Sequence, residues 1–188
     1  MTFMDTQSAG GDAKSDPDSR PGRTYVLSSP DATDGASVFN LIAACPPLDQ
    51  NSMYANLLQC SDFSDTCAIA KEGDKVAGWV SGYIPPKEPN VYFLWQVAVD
   101  ASARGQKLPK RLVHNILSRE ACKGVKYIKT TITADNDASW GLFRSIARWL
   151  DTPLNESPGF DKDDHFEGAH DSEILVTIGP FDTIPDRV

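Results

Sequence analysis

The most regular signal in the chain is the alternation from Val91 to Val99, where Val91, Phe93, Trp95, Val97 and Val99 fall on one side of a strand. Just upstream, Lys75 to Ile84 reads as a second long strand. The turn Glu72-Gly73-Asp74 joins it to Cys67-Ala68-Ile69-Ala70, which makes a hairpin. Shorter β-type runs are Thr24-Tyr25-Val26-Leu27, Tyr127 to Thr133, and Ile174 to Ile178 at the end.

Between these runs the period changes to that of a helix. Ser29-Pro30-Asp31 opens a helix with Val38, Leu41 and Ile42 on one face, and Pro46-Pro47 stops it. Asp49 is the expected N-cap of a second helix that turns Met53, Leu57 and Leu58 inward. A helix from Ala103 to Arg119 carries the stripe Leu108, Leu112, Ile116 and Leu117. Another, from Asp135 to Leu150, carries Trp140, Phe143, Ala147 and Leu150. The order β-α-α-β-β-β-α-β-α-β predicts an α/β fold: a mixed central sheet with helices on its faces.

Composition narrows what such a sheet can serve. Met1 to Gly22 is rich in Gly, Ser, Asp and Pro, so a flexible tail is expected there and a single domain over residues 23–188. The net charge of -8 argues against nucleic acid as a partner and suits a cationic small molecule. No stretch is apolar and long enough for a membrane helix, and the N-terminus lacks the order of a signal peptide, so a cytoplasmic location is expected. Cys45, Cys60, Cys67 and Cys122 show no metal-binding spacing and have no His cluster beside them. They read as reduced thiols, with no structural metal.

The candidate chemistry lies where Leu94-Trp95-Gln96-Val97-Ala98-Val99 runs through Arg104-Gly105-Gln106 into a helix. A strand leading through a glycine-containing turn to a helix N-terminus leaves free N–H groups and positive potential, which suits an anion. Taken with the strands before it and the Asn136-led helix after it, this segment resembles the GNAT N-acetyltransferase fold. In that family the turn cradles the pyrophosphate of acetyl-CoA and the preceding strand holds its pantetheine arm.

The resemblance implies main-chain contacts from Val97 and Val99, and a phosphate loop of Arg104, Gly105, Gln106 and Lys107. Asn136 and Phe143 would flank the thioester end. Lys107 and Pro109 stand where the family pattern has Gly and then Gly or Ala. Phe143 stands where many relatives carry a tyrosine that protonates the leaving thiolate.

A narrower resemblance rests on several blocks taken together. They are Pro47-Leu48-Asp49 with Asn51-Ser52 and Tyr54, Trp95-Gln96-Val97-Ala98-Val99, and Thr131-Ile132-Thr133 with Asn136 and Ala138-Ser139-Trp140. Asp163-Asp164-His165-Phe166, Gly168, His170-Asp171 and Ile178-Gly179-Pro180-Phe181 complete the set. From about Tyr25 to Phe181 the chain is similar to the diaminobutyrate acetyltransferases, which make the precursor of ectoine. The substrate so implied is L-2,4-diaminobutyrate, acetylated on its side-chain amine. Asp49, Tyr54 and Trp95 would contact it, with Glu173 or His170 as base and a homodimer as a compatible assembly.

Read without the resemblance, each of these residues has a plainer explanation. Asp49 serves as a helix cap, His170 as an exposed loop residue, Glu173 as an edge charge and Trp95 as a core residue. Two other functions also stay open: an acetyltransferase for another small amine, or a binding module on a degenerate fold.

Overall fold

The computed structural model describes residues 23–188, so the expected tail over Met1 to Gly22 lies outside the described residues. Seven strands form one sheet: β1 (Val26–Ser28), β2 (Ala68–Glu72), β3 (Lys75–Tyr83), β4 (Val91–Val99), β5 (Tyr127–Thr133), β6 (Leu154–Pro158) and β7 (Glu173–Ile178). Their order across the sheet is β1-β2-β3-β4-β5-β7-β6. Every pairing is antiparallel except β4 with β5. The four helices are α1 (Gly35–Ala43), α2 (Met53–Cys60), α3 (Leu108–Leu117) and α4 (Asp137–Trp149). Among the described residues no helix is long and apolar enough to cross a membrane.

The helices cover the two faces unequally. Leu108, Leu112, Val113, Ile116 and Leu117 of α3 join Trp140, Phe143, Ile146 and Ala147 of α4 in the larger core. Ile128, Ile132, Val176 and Ile178 meet them from the sheet. Full burial of each aliphatic side chain contributes about 1.5–3 kcal/mol, so this layer anchors the domain. Val38, Leu41 and Ile42 of α1 pack with Trp79, Ile69 and Ala98 in a smaller core on the opposite face.

Five expectations from the pattern need correction. Ser52, not Asp49, caps α2: its side chain accepts from the Ala55 N–H. The buried positions of α2 are Asn56, Gln59 and Cys60, while Met53 is exposed. The helix expected from Ala103 begins at Leu108, because Asp100 first caps a short 3-10 turn over Ala101–Ala103. Strand β6 was not anticipated; it is polar, mostly exposed and ends in proline, as suits an edge strand.

The last correction concerns β4. Ser81 pairs with Gln96 but Gly82 pairs with Leu94, so Trp95 is an extra residue in the ladder. This bulge reverses the phase of the strand. Tyr92 and Leu94 enter the larger core before it, whereas Val97 and Val99 pack against that core after it. The five residues expected on one face are therefore divided between two.

All four cysteines are free and buried. Burial pushes the Cys60 and Cys67 thiols up to about 12 and the Cys122 thiol up to about 11, which keeps them out of thiolate chemistry.

Candidate functional site

The site begins with a sheet that opens. Strands β4 and β5 pair only over Val91–Phe93 and Tyr127–Lys129, although β4 continues to Val99 and β5 to Thr133. Beyond Phe93, β4 has a strand neighbour among the described residues only on its β3 side. The Asp100 N–H donates to the Ala77 carbonyl at 2.9 Å, which sets the phase of the β3–β4 ladder. Bonded pairs alternate along an antiparallel ladder, so Ala98–Trp79 and Gln96–Ser81 are bonded pairs. The pairs Val97–Val80 and Val99–Gly78 are not, and the N–H and C=O groups of Val97 and Val99 point away from β3 into the opening. Cys45 Sγ approaches the Val99 carbonyl at 3.4 Å.

At the end of β4 the chain is turned by Asp100. Its Oδ1 accepts from the Ser102 N–H at 2.9 Å and from the Ser102 hydroxyl at 2.6 Å, and Lys75 Nζ lies 2.7 Å from Oδ2. The hydrogen bond from Lys75, followed by those from Ser102, holds this carboxyl well below the usual carboxylate range. The loop Arg104–Lys107 follows and is largely exposed. Gly105 has φ +81°, with nothing within 4 Å of where a Cβ would stand, so the backbone there is open to close approach.

Lys107 adopts φ 54° as the residue before α3. The first bond of that helix runs from the Arg111 N–H to the Lys107 carbonyl, so the N–H groups of Leu108 and Lys110 precede the helical ladder. Pro109, the second helical residue, lacks an N–H that would have been unpaired there in any case. The loop and helix end together form a donor-lined, cationic turn at the end of the strand that faces the opening.

A left-handed conformation costs a non-glycine residue about 1–2 kcal/mol, and glycine avoids most of that cost. Lys107→Gly is therefore expected to preserve or tighten coenzyme A binding, as measured by calorimetry. Abolished binding would show instead that the ammonium group, rather than the backbone, carries the contact.

On the α2 side of the opening lies a cavity of about 460 Å³. Its walls are the rings of Phe63, Tyr83, Phe93, Trp95 and Phe160. Gln59 and Thr131 add polar groups. The Arg119 guanidinium fixes the α2–β2 connection that bears Phe63, donating to the carbonyls of Ser64, Asp65 and Cys67 at 3.0, 3.1 and 2.6 Å. Phe160 is held from behind, where its carbonyl accepts from the Glu173 N–H at 2.7 Å.

The structure brings several of the expected residues together. Trp95 lines the cavity and is half exposed. Gln96, buried beneath the site, donates through Nε2 to the Asp49 carbonyl at 2.8 Å and so positions the Asp49 segment. The Asp49 carboxylate then lies 3.9 Å from His170 Nε2. His170 is further placed by the Asp171 carbonyl, 2.7 Å from Nδ1, and by the Phe166 ring, with centroids 4.8 Å apart.

Glu173 pairs with Thr133, and Leu175 pairs with Thr131, which lines the cavity. By alternation Glu173 stands on the same sheet face as Thr131. No ion pair or hydrogen bond to a described residue engages its carboxylate. Asn136 caps α4, accepting from the Ser139 N–H at 3.0 Å. Phe143 lies in the larger core and Tyr54 is exposed on α2; neither lines the cavity.

Gln59, Phe63, Tyr83, Phe93, Thr131 and Phe160 were not anticipated. For Phe93 the signal was its place two residues before Trp95. Gln59 gave no signal, because a glutamine in a helix reads as solvent-facing.

Comparison with known proteins bears on this arrangement. Residues 36–147 match the model of the acetyltransferase (GNAT) family. The L-2,4-diaminobutyric acid acetyltransferase of Methylotuvimicrobium alcaliphilum is 50% identical over 159 residues, covering 85% of this chain and 92% of that protein. That of Halomonas elongata is 47% identical, covering 84% and 82%. The structure of the Paenibacillus lautus diaminobutyrate acetyltransferase, in complex with L-2,4-diaminobutyric acid and coenzyme A, superposes with a TM-score of 0.81 at 36% identity. It covers 87% of this chain and 100% of that one. The Escherichia coli ribosomal-protein-S18-alanine N-acetyltransferase, at 15% identity and a TM-score of 0.60, shares the fold.

Proposed function

Since the chain belongs to the GNAT acetyltransferase family, and within it to the diaminobutyrate acetyltransferases, we propose that it transfers an acetyl group from acetyl-CoA to L-2,4-diaminobutyrate. The amine acetylated is the side-chain 4-amine, and the product serves ectoine biosynthesis in the cytoplasm. Residues 23–188 form the catalytic domain. The observation that carries this reading is the β4–β5 opening, with main-chain groups on one side and an aromatic cavity on the other.

The residues present fit the co-substrate. Val97 and Val99 offer strand-like main-chain partners to a pantetheine amide. Arg104, Gly105, Gln106 and Lys107, with the first turn of α3, offer N–H donors and positive charge to its phosphates. Asn136, the cap of α4 just after β5, and Phe143 of that helix, in the larger core, are the candidates for the thioester end. Acetyl-CoA supplies an acetyl group activated as a thioester.

The protein's own part is to bind the diamino acid, free its amine of a proton and stabilise charge. Trp95 forms a wall, and Asp49, beside His170, offers a carboxylate to an ammonium group. Tyr54, exposed on α2, is a further candidate contact for the substrate. An ammonium is not nucleophilic, so a base must take its proton before attack. Glu173 takes that role through water, with His170 as the second candidate. The Val97 N–H donates to the thioester oxygen as it gains negative charge. No covalent enzyme intermediate is required, which agrees with four buried thiols.

Release of coenzyme A thiol across a panel of amines tests the reading. L-2,4-diaminobutyrate should be turned over with the highest kcat/KM. Lysine, putrescine and 2-aminobutyrate, which lacks the second amine, should follow well behind. Preference for a plain diamine would indicate a different amine substrate, and no turnover of any amine would reduce the chain to a binding module.

A further inference from the structure

We infer that Gln59 is the residue that recognises the substrate's carboxylate, and so distinguishes a diamino acid from a plain diamine. The inference rests on the substrate proposed above. Five buried side-chain polar atoms among the described residues have no hydrogen-bond partner: Tyr25 Oη, Asn56 Oδ1, Gln59 Nε2, Trp79 Nε1 and Ser81 Oγ. Of these five residues, only Gln59 lines the aromatic cavity. It is 4% exposed.

Its orientation has a local cause. Asn56, one turn earlier on α2 and fully buried, donates through Nδ2 to Gln59 Oε1 at 3.0 Å. With the oxygen engaged by its neighbour, the amide presents its NH2 end as the free group. A buried donor without a partner is destabilising unless something in the cavity accepts from it.

The chemistry of the cavity then selects the acceptor. None of its lining residues carries a charge. Aromatic faces attract ammonium groups but offer nothing comparable to a carboxylate. Nε2 is a donor only, and an ammonium is a donor only, so the two cannot pair. In a diamino acid with both amines protonated, the carboxylate is the only acceptor. A site built around a polar partner rejects an analogue that lacks it, because the site's own group is left unpaired. The analogue here is 1,3-diaminopropane, which is 2,4-diaminobutyrate without its carboxylate.

The test compares these two amines as substrates. For the unmodified protein, kcat/KM should favour 2,4-diaminobutyrate; failure to turn it over at all would overturn the proposed function rather than this assignment. Gln59→Met keeps the length of the side chain and removes the donor. Gln59→Glu keeps the shape and the acceptor for Asn56, and places a carboxylate against a carboxylate. Each should lower kcat/KM for 2,4-diaminobutyrate by about tenfold to a hundredfold while changing that for 1,3-diaminopropane little. Equal losses on both amines would mean that the amide oxygen faces the cavity, and kcat/KM values unchanged for both amines would mean that water satisfies Nε2. Either result overturns the inference.

A measurement on the unmodified, 15N-labelled protein stands independently of how the variants fold. The Gln59 side-chain NH2 resonances should shift on addition of 2,4-diaminobutyrate and stay in place with 1,3-diaminopropane. Resonances that ignore both amines would refute the contact.

Discussion

Glu173→Gln should lower kcat for L-2,4-diaminobutyrate by about a hundredfold to ten-thousandfold, the usual range for removal of a general base, and leave KM nearly unchanged. The expectation follows from position: Glu173 opens β7 on the cavity face of the sheet, next in alternation to the pair that includes Thr131. The amide is the same size as the acid and keeps the strand, so the Phe160 carbonyl keeps its N–H donor. What disappears is the group that accepts a proton. The variant must then use the small fraction of amine already deprotonated in solution, a fraction that grows as pH rises. Its deficit should therefore be greatest at low pH and narrow as pH increases. A uniform deficit across pH, or one within about twofold, would remove Glu173 from the proton path and leave His170 to be tested.

Gly82→Ala should produce a large loss of stability, because a Cβ at this position has nowhere to go. It would meet the Tyr92 ring and stand 2.6 Å from the Phe93 carbonyl oxygen. Tyr92 cannot move aside freely, since it is fully buried and its hydroxyl donates to the Thr66 carbonyl at 3.0 Å. Overpacking of this kind costs about 1–3 kcal/mol. For a domain of this size that corresponds to a fall in Tm of about 3–10 °C by thermal melting. Activity should fall as well, because Gly82 faces Leu94, the neighbour of the bulged Trp95. A Tm within about a degree of the parent would show that the bulge tolerates a side chain and that its tight packing is not what aims Trp95.

Glu173 was legible in the sequence, whereas the bulge opposite Gly82 was not. Long elements were legible because their buried faces are mostly apolar. The alternation of Ile128 and Ile132, and the stripe of Leu108, Leu112 and Ile116, each bury against one core as the period requires. The bulge at Trp95 was not legible. One extra residue leaves the letters of a strand unchanged and only reverses their phase, and Gly82 opposite gives no unambiguous sign.

Helix α2 misled for a related reason. Its buried side carries Asn56 and Gln59, so a rule that turns apolar groups inward selects the wrong face. Strand β6, with Asn155, Glu156 and Pro158, lacks the β-branched content by which strands are recognised. For the site, the resemblance to a family supplied Asp49, His170, Trp95 and Glu173. The structure adds the His170–Asp49 contact at 3.9 Å and the ring-lined cavity, which depend on contacts between segments far apart in the chain.

The bulge in β4 also has a consequence for redesign. On the proposed reading, the half of the strand before it meets the amine through side chains, at Phe93 and Trp95. The half after it meets the thioester carrier through backbone atoms, at Val97 and Val99. Backbone contacts do not depend on which side chain a residue bears, provided that the strand holds its course. The two recognition tasks can therefore be altered separately within nine consecutive residues. Exchanging Phe93 for a smaller residue would widen the choice of amine without redrawing the carrier's seat, whereas deleting Trp95 would remove the bulge and straighten the strand, so that the amine loses a wall and the backbone beyond changes course, which disturbs both tasks at once.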